Sequence, residues 1–454
     1  MTLLGARESG SSAPPLVAVA VHHPPVDPIA LFGAAHAAGA DATLWLDTGN
    51  GWAMVGIGSA VSIQPDGPER FASLGHAWRA IVDAIAVEGP ATGSRLAGPM
   101  LLGGGAFRDR PSSDPRWDGF GSVAFSIPRV LVASADGDTV VTTIGDAGGS
   151  GLDPLLDDAT SMSPEPMPII EVVALDPARD AWSSSVARIT GAVGRGRLDK
   201  VVMARRVDLR AQRRLDPVTV LRRLAAGERG DPSPGARLAP SVFAFARGGR
   251  IFLGSSPERL ASVRGRALRT MALAGTTGRG TDAAQDGALG AALLASEKDR
   301  EEHAVVVTML RETLAPLVSE LHLPRVPRIV RSARLQHLLT DASGTLRDGI
   351  GLLDVVQRLH PTPAVAGWPT GAALDLLDDE SDLDRGWYAG PVGWLDRTGD
   401  GDMTVAIRSG LLDDSDASLF AGCGIVADSE ADREWQESAL KLRAMGDALG
   451  WSDT

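Results

Sequence analysis

The order of apolar and polar residues divides the chain into a first part rich in predicted strands and a second part of mixed elements. From residue 16 to about residue 172, apolar and β-branched runs such as LVAVAVH and ATLWLDTG are separated by Gly, Asp and Pro, a pattern typical of strands joined by turns. Residues 146–168 are rich in Gly, Ser, Pro and Asp, which indicates a loop. We expect the polar residues 1–15 to form a flexible tail.

Helices and strands are both predicted in the second part. Helices are expected at 178–195, 216–226, 283–318 and 432–449, and the third of them carries apolar residues at helical spacing. Strands are expected at 200–209, 241–247, 250–254, 387–395, 403–412 and 418–426. Because the two kinds of element do not alternate regularly, the order favours an α+β or mixed α/β fold over a doubly wound sheet.

The composition is that of a globular protein with an acidic balance. Hydrophobic residues make up 44% of the 454 residues and charged residues 22%, which is usual for a chain with a large core. The net charge of −13 comes without any run of Lys or Arg that would form a basic patch, so we expect no nucleic-acid partner. An anionic substrate would therefore have to be bound by local cations or by a metal ion.

The remaining bulk features indicate a cytoplasmic protein. Cys423 is the only cysteine, so no disulfide can form within the chain. The N-terminal residues lack the basic segment and apolar core of a secretory signal. No run of 18 or more uncharged apolar residues occurs, and we expect no membrane association.

Two carboxylate clusters on predicted helices are the first candidates for chemistry. They are SEKDREEH at 296–303 and EWQESALK at 434–441. Residues spaced by three or four positions share one helix face, so Glu434, Glu437 and Lys441 lie together. Either cluster alone is usually a solvated face with ion pairs, but Glu302 borders an apolar run. Two such helices facing one pocket would offer the oxygen ligands that suit Mg²⁺.

Lys200 and Glu258 are candidates for proton transfer. Lys200 opens the apolar run KVVMA after a glycine-containing loop. Most lysines are solvated, but a lysine in a pocket can have its pKa lowered and can then accept a proton from water. Glu258 follows Pro257 in GSSPERL. It is either an exposed turn carboxylate or, in a partly desolvated loop, an acid that stays protonated.

Three further segments could bind an anion. His337 in RLQHLLTD and Arg408 in TVAIRSG lie on predicted buried strands or at their edges. A histidine there is more often a satisfied core residue, whereas an arginine in an apolar strand is costly unless it meets an anion. The small residues AGCG at 421–424 either let backbone N–H groups approach an anion or form only a tight turn.

Ten segments, in order and spanning roughly residues 185–450, resemble the chorismate-utilising enzymes, which include isochorismate, anthranilate, aminodeoxychorismate and salicylate synthases. They are LDKVVMARRV, FLGSSPERL, MALAGTTGRG, LASEKDREEH, LQHL, LHPTPAVAG, GWYAGPVGW, VAIRSG, LFAGCGIV and EWQESALKL. The resemblance implies an α+β fold in which two stacked antiparallel sheets are flanked by helices. It also implies one catalytic domain over residues 16–454, with an N-terminal portion at 16–175 and a motif-bearing portion at 176–454.

The resemblance assigns a role to each candidate residue. Glu302 and Glu437 would bind Mg²⁺, with Glu434 as a direct or water-mediated ligand. Lys200 would activate a water for attack at C2 of chorismate, and Glu258 would protonate the departing C4 hydroxyl, giving isochorismate. The residues that would bind chorismate are Gly275, Thr276, His337, Ala364, Val365, Tyr388, Arg408, Gly422, Gly424 and Lys441.

Two positions separate the reactions of these enzymes. Members that add an amine usually carry Gln where this chain has Lys200 and take ammonia from a glutaminase subunit, so Lys200 implies water as the nucleophile and no glutaminase partner. The segment HPTPAV at 360–365 resembles the isochorismate synthase form. It argues against a salicylate synthase, in which loss of pyruvate would follow. Two departures, Cys423 for a usual Ala and Ala366 for a usual Gly, affect details of carboxylate binding.

Several alternatives stay open at this point. They are a salicylate synthase, an anthranilate or aminodeoxychorismate synthase component, and a catalytically inactive homologue, which the intact Lys200, Glu258, Glu302 and Glu437 argue against. Isochorismate could feed menaquinone or siderophore synthesis. Similar proteins often act as monomers, and we expect the same here.

Overall fold

A computed structural model of the chain describes residues 16–145, 151–227, 238–380 and 383–451. The predicted tail at 1–15 lies outside these ranges. The strands are β1 Val17–His22, β2 Ala42–Asp47, β3 Trp52–Ile57, β4 Val61–Ile63, β5 Ala86–Glu88, β6 Met100–Gly105, β7 Val123–Ile127, β8 Val130–Ala135, β9 Asp138–Ile144, β10 Ile170–Asp176, β11 Lys200–Ala211, β12 Ser241–Arg247, β13 Arg250–Ser256, β14 Arg259–Arg264, β15 Ala267–Gly278, β16 Val318–His322, β17 Arg328–Arg331, β18 Leu335–Leu346, β19 Gly367–Trp368, β20 Pro391–Asp396, β21 Gly401–Val405, β22 Ser409–Asp413 and β23 Asp416–Ile425. The helices are α1 Pro28–Ala37, α2 Arg70–Val82, α3 Leu152–Ser161, α4 Arg179–Gly194, α5 Pro217–Gly227, α6 Ala283–Ala295, α7 Glu297–Leu314, α8 Leu352–Leu359, α9 Thr370–Glu380 and α10 Ala431–Leu449.

The strands form two large sheets. The 13-stranded sheet has the order β10-β11-β23-β22-β13-β12-β2-β3-β8-β9-β1-β5, with β19 paired to β11. The 10-stranded sheet has the order β16-β18-β15-β14-β21-β20-β6-β7-β4, with β17 paired to β18. Within the described ranges, β1 and β5 are parallel and the other strand pairs are antiparallel. The arrangement is α+β, as the sequence predicted.

Apolar side chains from both sheets pack together in one core. Trp45 and Phe252 of the 13-stranded sheet and Leu102 and Trp394 of the 10-stranded sheet belong to the same buried cluster. A second cluster covers the other face of the 13-stranded sheet, where residues of α1, α3, α5 and α10 pack on it. The two layers of sheet are thus closed by helices, the usual way in which sheet faces are removed from water.

Strands from both sides of residue 175 contribute to each sheet. The 13-stranded sheet combines β1, β2, β3, β5, β8 and β9 with later strands, and the 10-stranded sheet does so with β4, β6 and β7. Within the described ranges, neither sheet is confined to one side of that point. A single domain over residues 16–454, with an N-terminal portion and a motif-bearing portion, stays a prediction.

Several element predictions are confirmed and others are wrong. The strand at 241–247 and the helices near 178–195 and 432–449 are found close to their expected bounds. The predicted strand-rich first part also contains α1 and α2, and part of the predicted loop at 146–168 is α3. The start of α1 is capped by the Asp27 side chain, followed by Pro28, a helix signal that the apolar pattern alone does not show.

Two long predicted elements are interrupted. The helix expected at 283–318 is divided into α6 and α7 at Ser296, whose side chain caps α7 by accepting from the N–H of Asp299. The second helix ends at Leu314, and β16 begins at Val318. The strand expected at 403–412 is two strands in different sheets, because the chain leaves the 10-stranded sheet at Val405 and enters the 13-stranded sheet at Ser409. Arg408 therefore lies on this crossing and not within a strand.

Candidate active site

A pocket of about 700 Å³, including its open mouth, lies where the two sheets and the two carboxylate helices meet. Residues of β11 and β23 form one side, and residues of β15 and β18 form another. The helices α7 and α10, the segment after α8 and the link between β21 and β22 complete it. All of the predicted site residues except Glu434 line this pocket, namely Lys200, Glu258, Gly275, Thr276, Glu302, His337, Ala364, Val365, Tyr388, Arg408, Gly422, Gly424, Glu437 and Lys441.

Lys200 is buried and forms an ion pair inside the pocket. It is the first residue of β11, only 1% of it is exposed, and its Nζ lies 2.7 Å from Oε1 of Glu302. Gly424 on β23 makes room for this pair, because a Cβ there would lie 2.4 Å from the Lys200 Cε and 2.7 Å from the Glu302 Oε1. Burial opposes ionisation of Glu302, but Lys200, together with Lys441 and Lys298, acts in the opposite direction and lowers the pKa of that carboxyl group.

Glu258 presents a carboxyl group whose proton is retained at higher pH than usual. It lies between β13 and β14, where its backbone carbonyl accepts from the Val405 N–H at 3.0 Å and from the Thr404 hydroxyl at 2.5 Å. Burial raises the pKa of Glu258 from 4.5 to about 7, although Lys200 and other cations act in the opposite direction. A substantial fraction of this carboxyl group is therefore protonated near neutral pH.

The three predicted metal ligands each accept a hydrogen bond from a lysine. Besides Glu302, Glu437 lies 2.7 Å from the Lys441 Nζ, and Glu434 lies 2.9 Å from the Lys298 Nζ. Burial disfavours the charge of Lys441, but nearby groups, first among them Glu437, act in the opposite direction and raise the pKa of Lys441. Glu434 is buried, Lys298 is partly exposed, and neither of them lines the pocket.

These carboxylates fit Mg²⁺ by chemistry, because their oxygens are the hard ligands that the ion prefers. Glu302 and Glu437 face the same pocket from α7 and α10. Their lysine partners take up one oxygen each, and across the described ranges no three acidic, His or Cys side chains are grouped closely enough to hold a metal ion. The assignment of metal ligands therefore stays a prediction.

The segment around Gly275 and His337 forms a polar wall. A register shift between Ala274 and Thr276 leaves Gly275 as a bulge with φ of +78°, a conformation that favours glycine. Nδ1 of His337 lies 3.0 Å from the Thr276 hydroxyl, and its buried Nε2 has no hydrogen-bond partner in the described part of the chain. Burial and nearby cations lower the pKa of His337 well below its usual value, so this pocket-lining ring is neutral and has a nitrogen available for a ligand.

Tyr388 and the AGCG segment lie opposite each other. The Tyr388 ring stacks on Phe420, with 5.2 Å between the ring centroids. Its hydroxyl would be 3.2 Å from a Cβ at Gly422, and the Gly422 carbonyl accepts from the Lys441 Nζ at 3.0 Å. The AGCG residues belong to β23, so the alternative of a tight turn is wrong.

Arg408 occupies an uncommon backbone conformation in the pocket. Its φ is +53°, and its carbonyl accepts from the Ser255 N–H at 3.1 Å. Left-handed backbone at a residue other than glycine is held only when the surroundings fix it, and it is concentrated at functional sites. The expectation that Arg408 faces a ligand site is thus consistent with its place in the pocket lining.

Sequence reasoning missed several residues of the pocket, of which Arg385 is the most polar. Its guanidinium donates to the backbone carbonyls of Val365 at 2.8 Å and Val202 at 2.6 Å. The one available signal was a basic residue directly before the apolar run of GWYAGPVGW. The other missed lining residues are Val202, Leu273, Ala274, Ala389, Ile407 and Phe420, while Ala421 and Cys423 belong to the predicted AGCG segment.

Comparison with known proteins relates the chain to enzymes of chorismate metabolism. Residues 3–450 match the family model described as chorismate binding enzyme. The salicylate biosynthesis isochorismate synthase of Pseudomonas aeruginosa is 36% identical over 449 residues, which is 96% of this chain and 90% of that protein. The isochorismate synthase MenF of Bacillus subtilis is 31% identical over 419 residues, covering 89% of this chain and 87% of that protein.

Solved structures share the fold. MenF, the menaquinone-specific isochorismate synthase from Escherichia coli, gives a TM-score of 0.77 at 23% identity and covers 96% of this chain and 94% of its own. Anthranilate synthase component I from Streptococcus pneumoniae gives 0.64 at 19% identity, covering 98% and 95%. At these identities the likeness concerns the fold alone, and it confirms the predicted α+β fold.

Proposed function

Because the chain belongs to the chorismate binding enzyme family, we propose that it is an isochorismate synthase, an enzyme that converts chorismate into isochorismate. The observation that carries the proposal is that Lys200 and Glu258 line one pocket, where they can act as a base and an acid. The names of two relatives that match over most of their length carry the same activity. Lys200 favours water over ammonia as the nucleophile.

The reaction exchanges one hydroxyl group for another. We propose that Lys200 takes a proton from a water molecule as the water oxygen bonds to C2 of the chorismate ring. The ring double bonds shift, the bond from C4 to its hydroxyl oxygen breaks, and Glu258 gives a proton to the leaving oxygen, which departs as water. One water is used and one is released, so the conversion is an isomerisation.

Glu258 and Lys200 differ in what each must change before it can transfer a proton. Glu258 is already in a state suited to an acid, since burial raises its pKa to about 7. Lys200 is tied to Glu302 at 2.7 Å, so the lysine has to exchange this partner for a water before it can act as a base. Positioned groups of this kind typically contribute about 10²- to 10⁴-fold each to the rate.

We propose Mg²⁺ as the cofactor, with Glu302 and Glu437 as its ligands. When bound, the ion would supply the positive charge that offsets the ring carboxylate of chorismate. Glu434 pairs with Lys298 at 2.9 Å and does not line the pocket, which favours an indirect role for it. Arg408, Tyr388 and the residues around Gly422 would bind the second carboxylate of the substrate.

The remaining parts of the proposal concern partners and location. We propose that the protein acts on chorismate without a glutaminase subunit, because a lysine base has no need of ammonia. We also propose that it acts as a monomer. None of the helices in the described ranges is long and apolar enough to cross a membrane. The cytoplasm remains the location expected from the sequence. The names of the relatives include both menaquinone and salicylate formation, and isochorismate could enter either route.

The proposal is tested by identifying the product and the source of its new oxygen. Purified protein is incubated with chorismate and Mg²⁺ in ¹⁸O-labelled water, and the products are separated and examined by NMR and mass spectrometry. We expect isochorismate with the label at C2, and no salicylate. A parallel reaction with ammonium should give no anthranilate. Anthranilate in that reaction, or salicylate with pyruvate in the first, would assign the enzyme to another branch of the family.

A further inference from the structure

Arg385 links three parts of the pocket wall that are far apart in sequence. It lies between α9 and β20 and is only 7% exposed. One terminal nitrogen donates to the carbonyl of Val365 in the segment after α8, at 2.8 Å, and the other donates to the carbonyl of Val202 in β11, at 2.6 Å. The planar guanidinium is suited to such a bridge, because its donors point in fixed directions.

The backbone of Arg385 also begins the turn that carries Tyr388. Its carbonyl accepts from the Tyr388 N–H at 2.9 Å. Gly386 within this turn has a φ of +49°, and a Cβ there would lie 2.1 Å from the Trp117 ring. The turn therefore has little freedom to change, and it places Tyr388 and the guanidinium of Arg385 in the same pocket.

Phe107 contacts Arg385 and also contacts His360, the first residue of the segment at 360–365. The Arg385 guanidinium lies 4.2 Å from the centroid of the Phe107 ring. The carbonyl of Phe107 accepts from Nε2 of His360 at 3.1 Å. His360 opens the segment HPTPAV and Val365 closes it, so Phe107 and Arg385 together fix both of its ends.

The charge of Arg385 is balanced differently from that of the pocket lysines. Lys200 and Lys441 each pair with a glutamate at 2.7 Å, whereas Arg385 makes no ion pair with a carboxylate of the described ranges. Burial lowers the pKa of Arg385 to about 10, which leaves it charged near neutral pH. A buried cation held only by carbonyl groups and a ring is costly, and an anion in the adjoining pocket would reduce that cost.

We propose that Arg385 is a positioning residue for substrate binding, which holds the segment at 360–366 against β11 and favours an anionic substrate by its charge. This inference rests on the proposed function for the identity of the anion, chorismate. It predicts that the loss of Arg385 weakens substrate binding more than it slows the chemical step, because Lys200 and Glu258 are held by other contacts.

The test uses the variants Arg385→Met and Arg385→Lys. Arg385→Met should raise the KM for chorismate at least about tenfold while kcat falls less than about threefold, since two hydrogen bonds from a charged donor are lost. Arg385→Lys keeps the charge but cannot bridge two carbonyls in one plane. Its KM should therefore lie between that of the wild type and that of Arg385→Met. The matched control is Arg108→Met, which removes the cation 5.5 Å from the same Phe107 ring but outside the pocket lining. Its KM should equal that of the wild type.

Hydrogen exchange without substrate supplies a readout that does not depend on activity. The amides of Val365 and Ala366, which donate to the Thr362 carbonyl, should exchange faster in Arg385→Met than in the wild type or in Arg108→Met. An unchanged KM with reduced kcat would show a merely structural role and overturn the inference, as would unchanged exchange at both amides. If the wild type itself fails to convert chorismate, the proposed function is wrong, and the exchange data still decide whether Arg385 holds the segment.

Discussion

The proposed acid, Glu258, makes a quantitative prediction about the pH dependence of turnover. Burial raises its pKa from 4.5 to about 7. At pH 7 a carboxyl group with the ordinary pKa would be protonated in only about 0.3% of molecules, whereas a group with a pKa of about 7 is protonated in roughly half, a gain of ~150-fold. Burial in the pocket therefore keeps roughly half of the Glu258 carboxyl groups in the acid form at pH 7.

The expected result is that the advantage of the wild type over Glu258→Gln declines at alkaline pH. The ratio of the two kcat/KM values should fall about tenfold for each pH unit well above pH ~7, because the acid form is lost in the wild type and the amide does not titrate, while the pH dependence of every other group cancels. Near neutral pH, Glu258→Gln should lower kcat at least ~10²-fold. The assay is the initial rate of product formation, measured by chromatography across the pH range. The control is Glu312→Gln, an exposed position on α7, which should retain the wild-type profile.

The same shift has a consequence for stability, with a definite sign. A carboxyl group whose pKa is raised on folding stabilises the folded protein at low pH. The contribution is lost as the pH rises from 4.5 through about 7. The change corresponds to at most about 3 kcal/mol, so Glu258→Gln should be more stable than the wild type above pH ~7 and nearly equal to it below pH ~4.5. A ratio of wild-type to Glu258→Gln kcat/KM that stays constant up to pH ~9, or a Gln variant with near-normal turnover, would refute the assignment of Glu258 as the acid.

Three further predictions concern the other side of the reaction. Chelation of Mg²⁺ should abolish turnover, and added Mg²⁺ should restore it. In Glu302→Gln or Glu437→Gln, added Mg²⁺ should not restore turnover, although the circular dichroism spectrum stays unchanged. Full activity in a chelator would contradict the metal assignment. Lys200→Ala should lower kcat at least ~10²-fold with chorismate binding, measured by calorimetry, largely retained; loss of binding without loss of rate would make Lys200 an anchor and not a base. Gly424→Ala should displace the Lys200–Glu302 pair, since its Cβ would lie 2.4 Å from the Lys200 Cε. We expect kcat to fall at least about tenfold with little change in melting temperature. Normal turnover would show that the pair has room to move.

The sequence predicted several strands after residue 200 better than it predicted the first part of the chain. The run at 241–247 is buried along its central residues, so its apolar pattern is unambiguous. The helix α1 is also apolar almost throughout, with buried residues from Ile29 to Ala35. A helix that is apolar on all sides has no polar face to reveal its period, so its sequence pattern does not distinguish it from buried strands.

The composition of the candidate site was largely predictable, but its pairing was not. The motifs placed fourteen residues on one pocket because each of them is recognisable from its neighbours in sequence. The partner of each glutamate is a different matter, since 102 residues separate Lys200 from Glu302 and 136 separate Lys298 from Glu434. Arg385 was missed for the same reason, because its bonds are to backbone carbonyls, which leave no trace in the sequence of the residues that supply them.

The ion pairs fit the proposal that an acidic protein binds an anion together with a cation. The chain has a net charge of −13, yet Lys200 and Lys441 in the pocket are neutralised by Glu302 and Glu437. Either a dianionic substrate or a divalent cation alone would leave an unbalanced charge in a buried space, which is costly. Together they would add no net charge, and each would take over one half of the existing pairs: the proposed cation would bind the glutamates, and the lysines would turn to the substrate and the attacking water. We therefore expect the lysines to be counter-ions of the glutamates before the ligands bind and to contact the substrate and the water afterwards.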